Sequence, residues 1–517
     1  MLPAPWMRNL TAETFTPVGP HYASTRVEEA STFRLPARPI EKPLRWGPMA
    51  DAFEQCVMDP KNGVLRKRPN GDIYFTSALE ANEDGGMTTF APLVLGKVLR
   101  GNDVSALLPS LGAYFSEKAG IFLDGPNATL CEYWYLMNIN AMAAAITRTS
   151  MRNNQTALER VRSSADRLIE LAHRISYDFN DQGYKFDQHV PFTNQDRFRQ
   201  PDTVGGYAYV MLIAYEMFQD PRYLEEAKTG IKHYQSFSHN PWYEIPSGAM
   251  ACLAAARLSL EGPTIDARRE LAFALDSRGG AMQIGVWNGR EVNGLMQGFH
   301  SEPPDEAYSM ESMVVLPYLL PMVRYRPELA NVVGRYALNV CANLRWFFPE
   351  YLPANQQSRP DLTPAVPYER IDRVHDGLSP YATGDYKSHR SIYGGAYSLW
   401  WGALVRPTNE DYILQLDASS SDFLAGVSYP TYLYYNPWGQ KRVVSLALHP
   451  IAKGAKCDVY DLSHHRMLRK NVQGSFPVEL APDSAKVLVI LPAGAKPEAD
   501  NGTLKVRGTP IDYQPQA

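Results

Sequence analysis

From position 88 to position 404 the apolar residues recur every three or four places, the spacing of helices that bury one stripe. The pattern predicts helices over 88–99, 104–115, 130–148, 156–177, 202–218, 221–237, 244–258, 265–275, 305–325, 328–347 and 392–404, with a shorter one at 51–59. Several carry start signals. Asp202 stands before Thr203 and an apolar run, Asp305 follows Pro303 and Pro304, and Asp220 precedes a Pro221 that suits a first helical turn. After Pro407 the period shortens. YPTYLYYNP, KRVVSLALHP, KCDVYDLS, GSFPVEL, AKVLVILP and GTLKVRG read as short strands between turn signals. Residues 1–48 are proline-rich and aperiodic, an extended arm.

About a dozen helices followed by one set of strands predict a mainly α chain: an (α/α)6 toroid over 49–406 and a C-terminal all-β sandwich over 407–517. An irregular helical domain or a solenoid would share the periodicity, but no fixed repeat length supports a solenoid. The loops 279–304 and 349–390 are long, polar and aromatic, and loops of that length inside a compact domain usually build a site.

Composition narrows the partners. The 517 residues are 45% apolar, enough for a large core, and carry a net charge of -4 with a pI near 6.3. No basic block and no long apolar run appear, so neither nucleic acid nor a membrane is expected as a partner. Five scattered cysteines without a C-x-x-C pair argue against a disulfide framework or thiolate metal site, and fit a cytoplasmic location. The 30 Tyr and 9 Trp suit a wet cleft that stacks sugar rings.

Three stretches gather chemistry. The first, 183–207, holds Asp187, His189, Asn194, Asp196, Arg197, Arg199, Asp202 and Tyr207. Asp196 and Asp202 there are candidate acid and base, although Asp202 reads equally well as a helix cap. The second, 299–311, holds His300, Glu302, Asp305, Glu306 and Glu311; the apolar run after Glu311 would bury it and raise its pKa. The third, 375–397, holds His375, Asp376, Asp385, Lys387, His389, Arg390 and Tyr393. Trp134, Tyr135, Trp242, Tyr243 and Trp287 are candidate sugar platforms, and Glu244 a candidate partner for hydroxyls. The pairs Asp187/His189, His375/Asp376 and Asp385/His389 match no metal-ligand spacing, so neither metal nor cofactor is expected.

The helical body, the loops FTNQDRFRQPDTVGGYAY, NPWYEIPSGAM and LYYNPWG, and the terminal strands together resemble bacterial carbohydrate-active enzymes built from an (α/α)6 toroid with an appended β-sandwich. That group contains glycoside hydrolases and polysaccharide lyases, and the resemblance implies an enzyme acting on an oligosaccharide. A monomer or homodimer is expected, the long N-terminal arm being what a dimer would use. Hydrolysis is expected, by paired carboxylates, with Asp196 and Asp202 facing His300, Glu302 and Glu311. Elimination from a uronate is the alternative. There Arg199 or Arg390 would clamp the carboxylate, and His189, His389 or Tyr207 would move protons. A noncatalytic carbohydrate-binding scaffold is the third reading.

Overall fold

The computed structural model describes residues 35–262, 265–278, 280–300, 306–375, 377–384, 390–448 and 454–514. Among them, a mainly helical body is followed by antiparallel sheets. The helices are α1 (Trp46–Met58), α2 (Met87–Leu99), α3 (Tyr133–Ser150), α4 (Gln155–Arg174), α5 (Thr203–Phe218), α6 (Pro221–Ser236), α7 (Ile245–Leu258), α8 (Ala267–Ala274), α9 (Ser309–Tyr325), α10 (Ala330–Asn343), α11 (Ile392–Gly395) and α12 (Ser398–Leu404).

The helices fall into two layers, and burial separates them. α2 packs on α3, α3 on α5, α5 on α7, α7 on α9, α9 on α12 and α12 back on α2, a closed inner series. Every residue of α9 is buried, as is every residue of α7 except Arg257. Helices apolar on all sides belong in an interior. α1, α4, α6, α8 and α10 cover that series from outside. α4 buries Ala157, Val161, Ala165, Leu168 and Ala172 along one stripe and leaves its charged face to water. Close approach explains the Gly205-Gly206 pair. A methyl group on Gly205 would stand 2.6 Å from the Ala251 Cβ of α7, and one on Gly206 3.1 Å from Met137 of α3.

Several predicted boundaries shift for local reasons. The stretch 104–115 forms only a 3₁₀ segment, Leu108–Tyr114, because Pro109 and Gly112 weaken an α-helix there. Residues Leu130–Glu132 pair as a strand with Gly183–Lys185 before α3 begins. α4 ends at Arg174, where Ser176 and Tyr177 take positive φ. The predicted 392–404 helix breaks into α11 and α12, as the Gly394 and Gly395 backbones lie against Ser309 and Phe53. Asp220 caps α6 as expected, accepting the Arg222 amide at 3.0 Å.

At the C-terminal end a six-stranded antiparallel sheet runs in the order Val405–Pro407, Leu414–Asp417, Thr431–Asn436, Ser484–Pro492, Cys457–Asp461, Arg466–Val472. A ribbon of Arg442–Ala447 and Ser475–Leu480 covers one face. Its inward Val444, Leu446, Val478 and Leu480 meet Leu488 and Ile490 in a separate apolar core. The other face meets α10, where Arg335 holds Asp483 at 2.9 Å. Residues 35–45 form the described part of the N-terminal arm. They run between α10 and the sheet, with the Leu44 amide on the Cys341 carbonyl at 3.3 Å and Arg38 over Trp438 at 4.3 Å. No helix among the described residues is long and apolar enough to cross a membrane.

Candidate active site

Four inner helices begin beside a carboxylate: Glu132 precedes α3, Asp202 precedes α5, Glu244 precedes α7, and Glu311 lies in the first turn of α9. Glu311, Glu132 and Asp202 all lie within electrostatic reach of Glu244. A helix N-terminus favours a negative charge, whereas burial opposes it. Burial wins here. It pushes Glu132 up to about 8 against the amide donors of Gln182 and Gln200, and Asp202 up to about 8 against backbone donors. Glu244 stands well above the carboxylate range, through burial first and then through repulsion from Glu311, Glu132 and Asp202.

The four differ in what they hold. Glu132 is a hub. It accepts from the Gln182 amide and, at 3.1 Å, from the Gln200 amide, while the Gln200 side-chain carbonyl accepts the Trp134 backbone N–H at 2.8 Å. Asp202 sits at the cap position of α5, but its side chain makes no hydrogen bond to that helix, which corrects the cap reading. A capping residue is extended, and Asp202 has helical φ and ψ of -66° and -15°. Its carboxylate instead crosses to the lead-in of α7, accepting the Tyr243 amide at 3.0 Å, and so places Glu244. The Asp202 Oδ1 is buried without a hydrogen-bond partner.

Exposure divides the set further. Asp202 is 0% exposed and Glu132 2%, whereas Glu311 keeps 5% and Glu244 9%, the largest residual exposure of the four. Around them stand Trp134, whose buried indole N–H faces Glu244 without a regular hydrogen bond, and the half-buried Tyr135 and Tyr393. The Trp134 and Tyr135 rings lie 3.7 Å apart. Burial, then the two glutamates, holds the Tyr393 phenol well above its ordinary range. His300 donates its amide to the Tyr243 carbonyl at 2.9 Å and sets its ring edge-on to Trp242 at 5.4 Å, behind the same lead-in.

Of the residues singled out in the sequence, Asp202, Glu244, Glu311 and Tyr393 therefore come together, with Trp242 and His300 adjoining. The others lie elsewhere. Asp196 is bound by Arg199, whose guanidinium also takes the Asn180 carbonyl, so the two clasp a loop. Tyr207 donates to Glu226 at 2.6 Å on the α6 side, where Tyr177 and His173 meet the same carboxylate. Arg390 is fully buried and spends its fork on the carbonyls of Arg359, Leu362, Thr363 and Val366 over the Tyr368 ring. That geometry leaves neither Arg390 nor Arg199 as the expected carboxylate clamp. His375 stacks on Tyr381 at 4.3 Å, Trp287 lies in the hairpin Val286–Trp287/Arg290–Glu291, and His189 is exposed at a hairpin tip with φ +56°. Glu302, Asp305, Asp376, Asp385, Lys387 and His389 lie outside the described residues. Among the described residues no three His, Cys, Asp or Glu are grouped to hold a metal ion.

Glu132 is the member sequence reasoning missed. Its position inside a predicted helix hid it. The available signal was a shared register, since Asp202, Glu244 and Glu311 all stand where an inner helix starts.

No protein-family model and no curated protein matches this chain. Solved structures do resemble it, and they are carbohydrate-active enzymes. The cellobiose 2-epimerase of Spirochaeta thermophila is 12% identical with a TM-score of 0.44, over 69% of this chain and 96% of that one. An α-1,6-mannanase of a Salegentibacter species is 13% identical with a TM-score of 0.43, over 69% and 98%. A β-L-arabinofuranosidase of Geobacillus stearothermophilus is 11% identical with a TM-score of 0.39, over 91% and 85%. Likeness of this depth decides neither reaction nor substrate.

Proposed function

We propose that this protein is a glycoside hydrolase that cleaves an oligosaccharide with Glu244 and Glu311 as its working carboxyl pair. The observation that carries the reading is the repulsion of Glu244 by Glu311, two buried groups that each keep a small residual exposure. Two such carboxyls do not both ionise at neutral pH. Glu244, the group pushed up, keeps its proton and passes it to the glycosidic oxygen as the bond to the anomeric carbon breaks. Glu311 takes a proton from the attacking water or itself attacks the anomeric carbon, depending on the separation the bound sugar imposes. Tyr135 and Tyr393 border the pair and offer ring faces and hydroxyls.

Asp202 and Glu132 act as positioning residues, one through the Tyr243 amide and the other through Gln200 and the Trp134 amide. Elimination would need a cation for the uronate, and the occupied donors of Arg199 and Arg390 favour hydrolysis. We read the closed helix series as an (α/α)6 toroid within a catalytic unit spanning 49–406. The strands over 407–517 form a sandwich that frames it.

Reducing ends and ultraviolet absorbance, followed together on neutral and uronate oligosaccharides, test the reading. Reducing ends without new absorbance are expected, with turnover collapsing in Glu244→Gln and Glu311→Gln. An unsaturated product, or undiminished turnover in both variants, would sink it.

A further inference from the structure

Outside the ring, a cleft of about 420 Å³ opens between α4 and the strand Gly183–Lys185. It shares no lining residue with the four carboxylates. Its helix wall is one face of α4, with Arg167, Leu171 and Arg174 spaced by four and three. Its floor is aromatic. Tyr184 and Phe186, two apart on an extended segment, project to the same side with ring centroids 5.2 Å apart. Lys118 closes the far rim, and Asp187 and His189 stand at the hairpin tip.

The charges are the second observation. Arg167 and Glu170 satisfy each other at 2.5 Å. Lys118 and Arg174 are both exposed and make no ion pair among the described residues, in a chain whose net charge is -4. Burial raises the Tyr184 phenol and the Arg174 guanidinium opposes it, so that cation lies close to the aromatic floor. Unpaired cations flanking an aromatic floor, with a carboxylate and an imidazole at the rim, match one kind of ligand. A sugar ring stacks on the partly exposed Phe186 with the buried Tyr184 behind it, its carboxylate meets the cations, and its hydroxyls meet the rim.

We propose that this cleft is a noncatalytic binding site for a saccharide bearing a carboxylate, a uronate unit, held by Lys118 and Arg174 over Tyr184 and Phe186. It goes beyond the hydrolase reading and does not depend on it. Such a site would hold an acidic stretch of a chain while the ring works on another part.

Saturation-transfer NMR and calorimetry on the full chain test the site, with methyl glucuronide, methyl glucoside and inorganic sulfate as probes. The glucuronide is expected to bind in the millimolar range, about tenfold tighter than the glucoside. The double variant Lys118→Ala/Arg174→Ala should lose about tenfold of that affinity while hydrolysing a short neutral substrate at the normal rate. The double variant Glu244→Gln/Glu311→Gln should bind the glucuronide unchanged. Equal binding of the glucoside, full competition by sulfate alone, or an affinity that responds to the glutamates and not to Lys118 and Arg174 would each overturn the proposal. None of those results bears on turnover at the ring, so the two readings fail separately.

Discussion

The buried carboxylates at the ring end and those among the C-terminal strands are equally removed from water and are held in opposite ways. Asp458 is 0% exposed and accepts three backbone amides, from Asn471, Gly494 and Ala495, at 2.8 to 3.2 Å. Asp512, 1% exposed, takes the Tyr460 hydroxyl at 2.7 Å, the His465 ring nitrogen at 2.7 Å and the Gln514 amide at 3.0 Å. At the ring, Asp202 has one oxygen with no partner, and Glu244 faces three other carboxyls and no cation among its main influences. Burial alone is therefore a poor marker of a site. A shortage of donors, combined with like charges, separates groups that fasten a fold from groups that hold a proton ready.

The sharpest way to break this contrast is to neutralise one group of each kind. Glu244→Gln should cost about a thousandfold in kcat on a cleavable oligosaccharide while the folded fraction stays intact, read by reducing-end assay beside circular dichroism. The ring carboxyls should also leave a mark on stability. Asp202 and Glu132 titrate near 8 when folded and near 4 when unfolded, so the folded chain keeps protons that the unfolded chain has released. Their contribution is complete below about pH 4 and is lost as pH rises toward 8, at up to about 1.4 kcal/mol per pH unit for each group. Urea midpoints measured across that window should fall with pH, and Asp202→Asn should flatten the fall.

Asp458→Ala should do the reverse of Glu244→Gln. It removes the buried acceptor of three backbone amides and should destabilise by about 3 kcal/mol, with kcat per folded molecule unchanged in urea-titrated samples. Arg390→Met removes the donors that pin four carbonyls and should cost about 2 kcal/mol in the same titration. KM for a uronate substrate should not move; a large rise would restore Arg390 as a clamp. The smallest effect is expected at Asp196. Its partner is Arg199, and Asp196→Asn should change kcat/KM by less than about threefold.

Much of the helix order was legible from the spacing of apolar residues, because buried helices repeat at three and four. The site was legible only in part. Asp202, Glu244, Glu311 and Tyr393 carry types that chemistry needs, but the densest polar stretch, 183–207, misled. Its Asp196 and Arg199 face each other, and a polar clasp and a polar site have the same composition. Which carboxylates converge is set by the packing of helices whose starts lie from position 132 to position 311. No local pattern contains that distance. Glu132 was hidden for the same reason, since its strand pairs with residues some fifty positions on.

The N-terminal arm has a consequence for how the chain is made. The Pro36 carbonyl accepts from Asn339, 303 positions later, and the Ile40 carbonyl from Tyr412, 372 positions later. Neither contact has a partner until most of the polypeptide has been synthesised, and closing so large a loop is entropically costly before both surfaces exist. During synthesis residues 35–45 thus emerge well before the helix and the strands they touch, and are seated only after those have met.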